Sequence, residues 1–490
     1  MTTQCNKIFA WEKYLPATIV ILLGIGLVFN IISWGRYIYF DGLQEVREFV
    51  NIQLVENICS GTYFSMESFP QNLYLYGPLQ GAILSLLPQR TMHINRIISC
   101  VSLAICIFPI FIITRNILHH KPKTLISQAA TSVTLFIYTI TLDDFYRNSG
   151  RPDQLGLFLS FCAMALVFTN YYNYLSPKWR GLVAVIITVL ALLTKQYYGV
   201  VLIVFLLHEF FHEKNVYFFI TSLTGIILFF ICAYLYTPIY FLSYFHHVRV
   251  ASYSYSYALY QLVIFIVNAN IFFITLFYLP YGIIKNTIIF SLNTKLFSAY
   301  SMIIFCLLMF KLGGHGGNFL VYYNELLAPC VLILFLFALT KFSNETCYRI
   351  LALSLIMFLS INIYHSRGRA YATPEHVKTA SFSQKSFLCP TSFSNDLKNI
   401  PNALDIDTGQ LEYIDTIKPS DWLSHALPKL QQIKPQIKKY DDAILSNLAL
   451  QKYDEIYVDQ YCIMKKFKPS VDMYYKTESE SAALTKYVKK

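Results

Sequence analysis

The sequence predicts an all-α polytopic membrane body of about eleven transmembrane helices, followed by a small α/β domain outside the membrane. Three observations carry that prediction. The chain has 490 residues, of which 55% are hydrophobic and 14% charged, against roughly 25% charged in a soluble domain; mean hydropathy is +0.46. The few charges are unevenly placed: apolar runs with short polar breaks fill the chain to Ser366, and polar and charged residues dominate from Arg367 onward. Basic residues fall into alternate short loops of the apolar part, which is the pattern of membrane orientation. The division is therefore a membrane body over 1–366 and a tail domain over 367–490.

A transmembrane helix needs about 20 mostly apolar residues. Such runs lie at 14–34, 94–114, 125–142, 154–174, 181–195, 197–212, 216–237, 260–281, 296–313, 318–340 and 349–365. The run after Lys7 and Lys13 exceeds the roughly 7–15 apolar residues of a cleaved signal, so it is expected to stay as a first anchor. Pro78 to Pro88 is apolar but too short to cross, and reads as a helix lying at the interface. In the tail, Glu455 to Val458 reads as a strand and Asp441 to Lys452 as a helix.

With the N-terminus cytoplasmic, the inner loops receive Arg115, Lys121 and Lys123; Lys178 and Arg180; Lys214; Lys285 and Lys295; Lys341 and Arg349. The outer loops receive Asp41, Asp143, Asp144 and Asp153, the four Asp that precede the tail. One orientation satisfies every short loop, and eleven crossings place the tail on the outer, periplasmic side. The net charge of +11 is spent on this orientation, not on a nucleic-acid groove. The 11 Cys have no CxxC or Cys/His metal spacing. Most lie in apolar runs as small packing residues; Cys389 and Cys462 could pair if the tail faces an oxidising compartment. No Walker A, G-x-G-x-x-G or H-E-x-x-H occurs, which argues against ATP-driven transport.

Four polar constellations stand at the outer ends of spans. Asp41 follows the first span, with Glu45 and Glu48 behind it; it reads either as a helix N-cap or, at the membrane surface, as a general base. Asp143 to Leu155 holds two Arg and three Asp. Pro152 suits the first position of a helix and Asp153 its first turn, while Arg147 and Arg151 suit bidentate recognition of phosphate. Lys195, in Thr194-Lys195-Gln196-Tyr197-Tyr198-Gly199, either snorkels to the interface or binds an anion. The fourth runs from Lys311 through the Gly-rich stretch around His315 to Glu325. Those glycines permit a plain turn or close approach to a ligand. Glu325 lies about two turns inside a span, so it must face a polar cavity or a partner, for which His315, Lys195 and Arg151 are the candidates. The tyrosines from Tyr253 to Tyr260 read as an interfacial aromatic belt, with sugar stacking as the other reading.

Read in order, these pieces resemble the GT-C class of integral membrane glycosyltransferases, in particular the bacterial relatives of protein O-mannosyltransferases and of the aminoarabinose transferase of lipid A. The likeness covers roughly residues 14 to 365. An acid follows the first span (Asp41); Tyr76-Gly77-Pro78-Leu79 precedes an interfacial helix; Asn95-Arg96 opens the second span. Arg151-Pro152-Asp153-Gln154-Leu155 opens the fourth, Leu192-Leu193-Thr194-Lys195-Gln196 closes the fifth, and Tyr323-Asn324-Glu325-Leu326 follows the Gly-rich loop. The resemblance implies a polyprenyl-phosphate sugar donor used on the outer face of a bacterial inner membrane, with a lipid, glycan or protein acceptor. It implies Asp41 as catalytic base and Asp153 as second acid, with Arg147, Arg151, Lys195, His315, Asn324 and Glu325 binding substrate. Some members of that class use a divalent metal, but no ligand set in this sequence decides the matter. The mannosyltransferases carry paired acids after the first span, whereas Gly42 follows Asp41 here. A polysaccharide polymerase or ligase, and a transporter of lipid-linked sugars, are the competing readings.

Overall fold

The computed structural model describes residues 15–39, 46–61, 77–118, 153–168, 177–195, 197–199, 206–207, 210–211, 214–236, 254–268, 300–301, 303–312, 323–340, 350–353, 355–357, 359–360, 386–389, 428–459, 467–480 and 484–490. Helix α1 (Leu15–Ile38) has 24 residues, about 36 Å of rise and enough to cross a hydrocarbon core of about 30 Å. Short helices α2 (Val46–Cys59) and α3 (Leu79–Ser85) precede α4 (Met92–Ile105) and α5 (Ile107–Ile117). Further on come α6 (Asp153–Phe168), α7 (Pro177–Leu192), α8 (Val216–Tyr236) and α9 (Tyr255–Asn268). A π-helical turn over Leu308–Leu312 is followed by another over Tyr323–Leu327, which runs directly into α10 (Ala328–Leu339).

Among the described residues, three helical stretches are long and apolar enough to cross a membrane: Ala17–Ile38, Met92–Ile117 and Val216–Tyr236. Asp153–Leu166, Tyr255–Ile266 and Glu325–Phe337 are shorter apolar helices. The expected span 125–142 lies outside the described residues, and those at 154–174, 197–212, 260–281, 296–313, 318–340 and 349–365 are described in part. The run at 94–114 falls within the single stretch Met92–Ile117, which bends at Cys106 because Pro109 has no N–H for the carbonyl four residues back and its ring crowds that turn. One expectation needs correction. The fifth span ends at Leu192, so Lys195 stands in a turn beyond the helix.

The body is polar inside and apolar outside in places where a soluble protein would be the reverse. On α4, Asn95, Arg96, Ser99 and Ser102 are buried while Ile97 and Val101 are exposed, since positions three and four apart share a helix face. Along α8, Ile220, Leu223, Ile227, Leu228, Ile231 and Leu235 are exposed, as a lipid-facing surface requires. Helix α6 is central: it packs against α4, α5 and α7, and α7 packs against α8. Its Leu157, Phe161, Met164 and Ala165 join Leu326, Leu332 and Leu336 in one core.

The tail contains a four-stranded sheet of order β1-β2-β4-β3, from β1 (Ser386–Cys389), β2 (Glu455–Asp459), β3 (Tyr475–Glu480) and β4 (Leu484–Lys489). Strands β1 and β2 are parallel and the other pairs antiparallel. Helices α11 (Pro428–Ala449) and α12 (Lys468–Tyr474) accompany it, and Ile444, Leu448, Ile456, Phe467, Val471 and Tyr475 form its core. The expected strand and helix are both present, the helix starting earlier than its apolar pattern indicated. Across β4 and its neighbours, Lys486 bridges Glu455 at 2.8 Å and Glu478 at 2.7 Å, and hydrogen bonds to these carboxylates hold its pKa above the usual lysine value. Cys462 and the 366/367 boundary lie outside the described residues.

Candidate active site

Three chain segments far apart in sequence meet at one buried charge cluster. Asp153 is the first residue of α6, where a carboxylate opposes the positive end of the helix dipole. Lys195 stands just past α7. The chain tightens there: Thr194 N–H reaches only three residues back, to the Ala191 carbonyl at 3.0 Å, which also accepts from Lys195 N–H at 3.1 Å and from Thr194 Oγ1 at 2.5 Å. Glu325 lies in the π-helical turn before α10, a widened turn of the kind often found at functional sites.

The Lys195 ammonium is ion-paired with Asp153 Oδ1, and both side chains are 1% exposed. It donates to the Tyr197 hydroxyl at 2.8 Å and lies 4.0 Å from Glu325 Oε1. The same hydroxyl faces Asp153 Oδ1 at 3.2 Å and Glu325 Oε2, with one proton to donate between them. Tyr198 packs its ring over Gly156, where a Cβ has no room, and donates to the Asp153 carbonyl at 2.8 Å. Among the described residues, Lys195 and the Tyr197 phenol both serve the two acids in a setting of low dielectric, where a charge without a partner is costly.

A second buried polar group lies on α4 and its neighbours. Arg96, fully buried, donates to the Tyr37 carbonyl at 3.3 Å and lies 5.1 Å from the Tyr37 ring centroid. His93 Nδ1 lies 2.5 Å from the Ile38 carbonyl. Both side chains therefore serve the last carbonyls of α1, groups that a helix leaves unsatisfied. One turn along, Asn95 Oδ1 accepts from Asn51 of α2 at 2.7 Å and from Gln80 of α3 at 2.8 Å, and Gln80 also donates to Ser99 at 3.1 Å.

Of the residues expected from sequence, Asp153, Lys195 and Glu325 come together, and Lys195 is one of the partners foreseen for Glu325. Asn324 belongs to the same π-helical turn as Glu325. Asp41, Arg147, Arg151 and His315 lie outside the described residues. Tyr197 and Tyr198 were visible only as neighbours of Lys195, and the polar spacing of Asn95 and Ser99 within an apolar run was the local sign of the second group. Among the described residues, no set of three or more His, Cys, Asp or Glu is arranged to hold a metal ion.

The two tyrosines should differ measurably. Tyr197→Phe removes a hydroxyl bonded to three charged groups, worth about 1.5–3 kcal/mol, whereas Tyr198→Phe removes one bonded to a backbone carbonyl, worth about 0.5–1.5 kcal/mol. Thermal unfolding in detergent should therefore show the larger loss in Tyr197→Phe; the reverse order would mean that Tyr197 is not the bridge of the cluster.

Helices with buried charges at their ends, together with a small C-terminal sheet, make a fold found among solved structures. Two solved structures share it over nearly the whole chain: ArnT from Cupriavidus metallidurans bound to undecaprenyl phosphate, and the same protein in the apo state. Each has a TM-score of 0.57 and 12% sequence identity, covering 96% of this chain and 97% of that chain. At that identity the likeness is one of fold. No protein-family model matches the sequence, and a search of curated proteins finds no significant match.

Proposed function

We propose that this protein transfers a sugar from a polyprenyl-phosphate donor to an acceptor on the outer, periplasmic face of a bacterial inner membrane. The observation that carries the reading is the buried Asp153–Lys195–Glu325 cluster at the ends of apolar helices, in a chain with the fold of a protein crystallised with undecaprenyl phosphate. A donor whose leaving group is a phosphate on a lipid tail calls for a cation held within an apolar body.

In this mechanism the acceptor oxygen attacks the anomeric carbon from the face opposite the phosphate. The new oxygen–carbon bond forms as the carbon–oxygen bond to phosphate breaks, so the configuration inverts. The acceptor proton passes to Asp41, and the polyprenyl phosphate leaves with the electron pair. Lys195 is the cation for that phosphate, helped by Arg147 and Arg151. An incoming phosphate oxygen takes the place of Glu325, the farther of the two carboxylates from the ammonium at 4.0 Å, while Asp153 keeps the ammonium in place. Charge that grows on the leaving phosphate in the transition state is where such a cation acts most strongly. Asn324 and His315 are assigned to substrate binding as well, and the apolar helices supply the groove for the lipid tail.

The test is turnover by purified protein in nanodiscs, offered undecaprenyl- and dolichyl-monophosphate sugars in turn. Release of the free lipid phosphate from at least one of them is expected. Release from diphosphate-linked donors alone would replace the reading with a polymerase or ligase. Movement of an intact donor across the bilayer without bond cleavage would replace it with a transporter.

A further inference from the structure

We propose that Gly77 is a positioning residue for Lys195, acting through a backbone seam between the approach to α3 and the end of α7. The proposal takes from the preceding section only the role of Lys195 in turnover. Where α7 closes early, the carbonyls of Leu193 and Thr194 have no partner within their own helix. The chain entering α3 supplies them: Leu79 N–H donates to the Leu193 oxygen and Gly77 N–H to the Thr194 oxygen, each at 2.9 Å. Pro78 lies between the two donors and has no N–H to offer, so donors alternate along the segment as they do along a strand edge. Lys195 follows directly after the second acceptor.

The approach is too close for any side chain. A Cβ at position 77 would fall within the carbonyl group of Leu193, backbone atoms that cannot swing aside as a flexible side chain would. Glycine is required here by contact. The far side of the seam is equally anchored. Gln80, on the first turn of α3 and fully buried, bonds to Asn95 and Ser99 of α4, and Asn95 also holds Asn51 of α2. The backbone that carries Lys195 is thus tied to α2, α3 and α4, while its ammonium is tied to α6 and to the π-helical turn of Glu325. A shift of the seam moves the ammonium against Asp153 and Glu325, and so against the place of the donor phosphate. No other described segment bonds to both carbonyls.

The experiment compares wild type, Gly77→Ala and, as a control, Gly24→Ala, a helix position with open space around it, each alone and combined with Lys195→Met. Gly77→Ala should lower kcat for lipid-phosphate release by at least about 10-fold, with Gly24→Ala within about 2-fold of wild type, since misplacement of a group by about 1 Å can cost as much as 100-fold. In the Lys195→Met background the added loss from Gly77→Ala should shrink to less than about 2-fold. Wild-type turnover in Gly77→Ala, or losses that multiply independently, would overturn the proposal. Hydrogen exchange on the wild-type protein tests the seam without any donor or variant. The Gly77 and Leu79 amides should exchange as slowly as those of α4, and exchange at the rate of an open loop would overturn it. If wild type turns over no donor at all, the proposed function fails while slow exchange leaves the seam standing, so the two failures are told apart.

Discussion

Asp41→Asn is expected to lower donor turnover by about 100- to 10,000-fold, the usual contribution of a positioned general base, while the protein folds and inserts as before. The carboxamide is nearly isosteric with the carboxylate but cannot accept the acceptor's proton. Asp41 comes three residues after Ile38, the last residue of α1. The end of that helix is held by Arg96 on the Tyr37 carbonyl and by His93 at the Ile38 carbonyl. The efficiency of a base depends on geometry before it depends on pKa. The check is the rate of lipid-phosphate release together with donor affinity. A fall in kcat at unchanged donor affinity fits a base acting in the transition state. Equal turnover in wild type and Asp41→Asn would remove Asp41 from the mechanism.

The membrane body was legible in the sequence because its signal is local. Runs of about 20 apolar residues do not depend on the rest of the fold, and α1, α4 to α5 and α8 follow three of the expected ones closely. The partner of Glu325 was legible for a different reason: a carboxylate inside an apolar run requires a cation or a polar cavity, and few cations are available. What the sequence could not disclose depends on distant contacts. Tyr197 bridges to residues 44 and 128 positions away. Its place next to Lys195 reads equally well as an interfacial aromatic. The early end of α7 is another case. Hydropathy continues through Leu193, but the turn is completed by N–H donors from residues 77 and 79, which no window centred on α7 contains. The amide group of Asn51, Gln80 and Asn95 is likewise assembled from three separate helices.

Lys195→Met should lower turnover sharply, to a residual rate that can still be measured, and also destabilise the protein, and the two effects should come apart on further substitution. Methionine fills about the volume of the lysine stem but leaves Asp153 and Glu325 buried without their cation. Breaking a buried ion pair from one side costs about 3–5 kcal/mol, so Lys195→Met should unfold at a clearly lower temperature in detergent. Turnover should fall by at least about 100-fold, the loss typical of removing one donor to a developing oxyanion. Replacing the acids as well, in Lys195→Met/Asp153→Asn/Glu325→Gln, removes every formal charge from the cluster while preserving its shape. Stability should then return most of the way, because a neutral, well-packed cluster has no uncompensated charge to desolvate. Turnover should not return, because the leaving phosphate still has no ammonium to meet. Recovery of turnover in the triple variant would show that Lys195 serves only to neutralise two acids, and the donor phosphate would have to be assigned to Arg147 and Arg151. An unchanged melting temperature in the single variant would show instead that the acids do not depend on Lys195 for their charge, with protons shared between Glu325 and Tyr197 and on Asp153 taking its place.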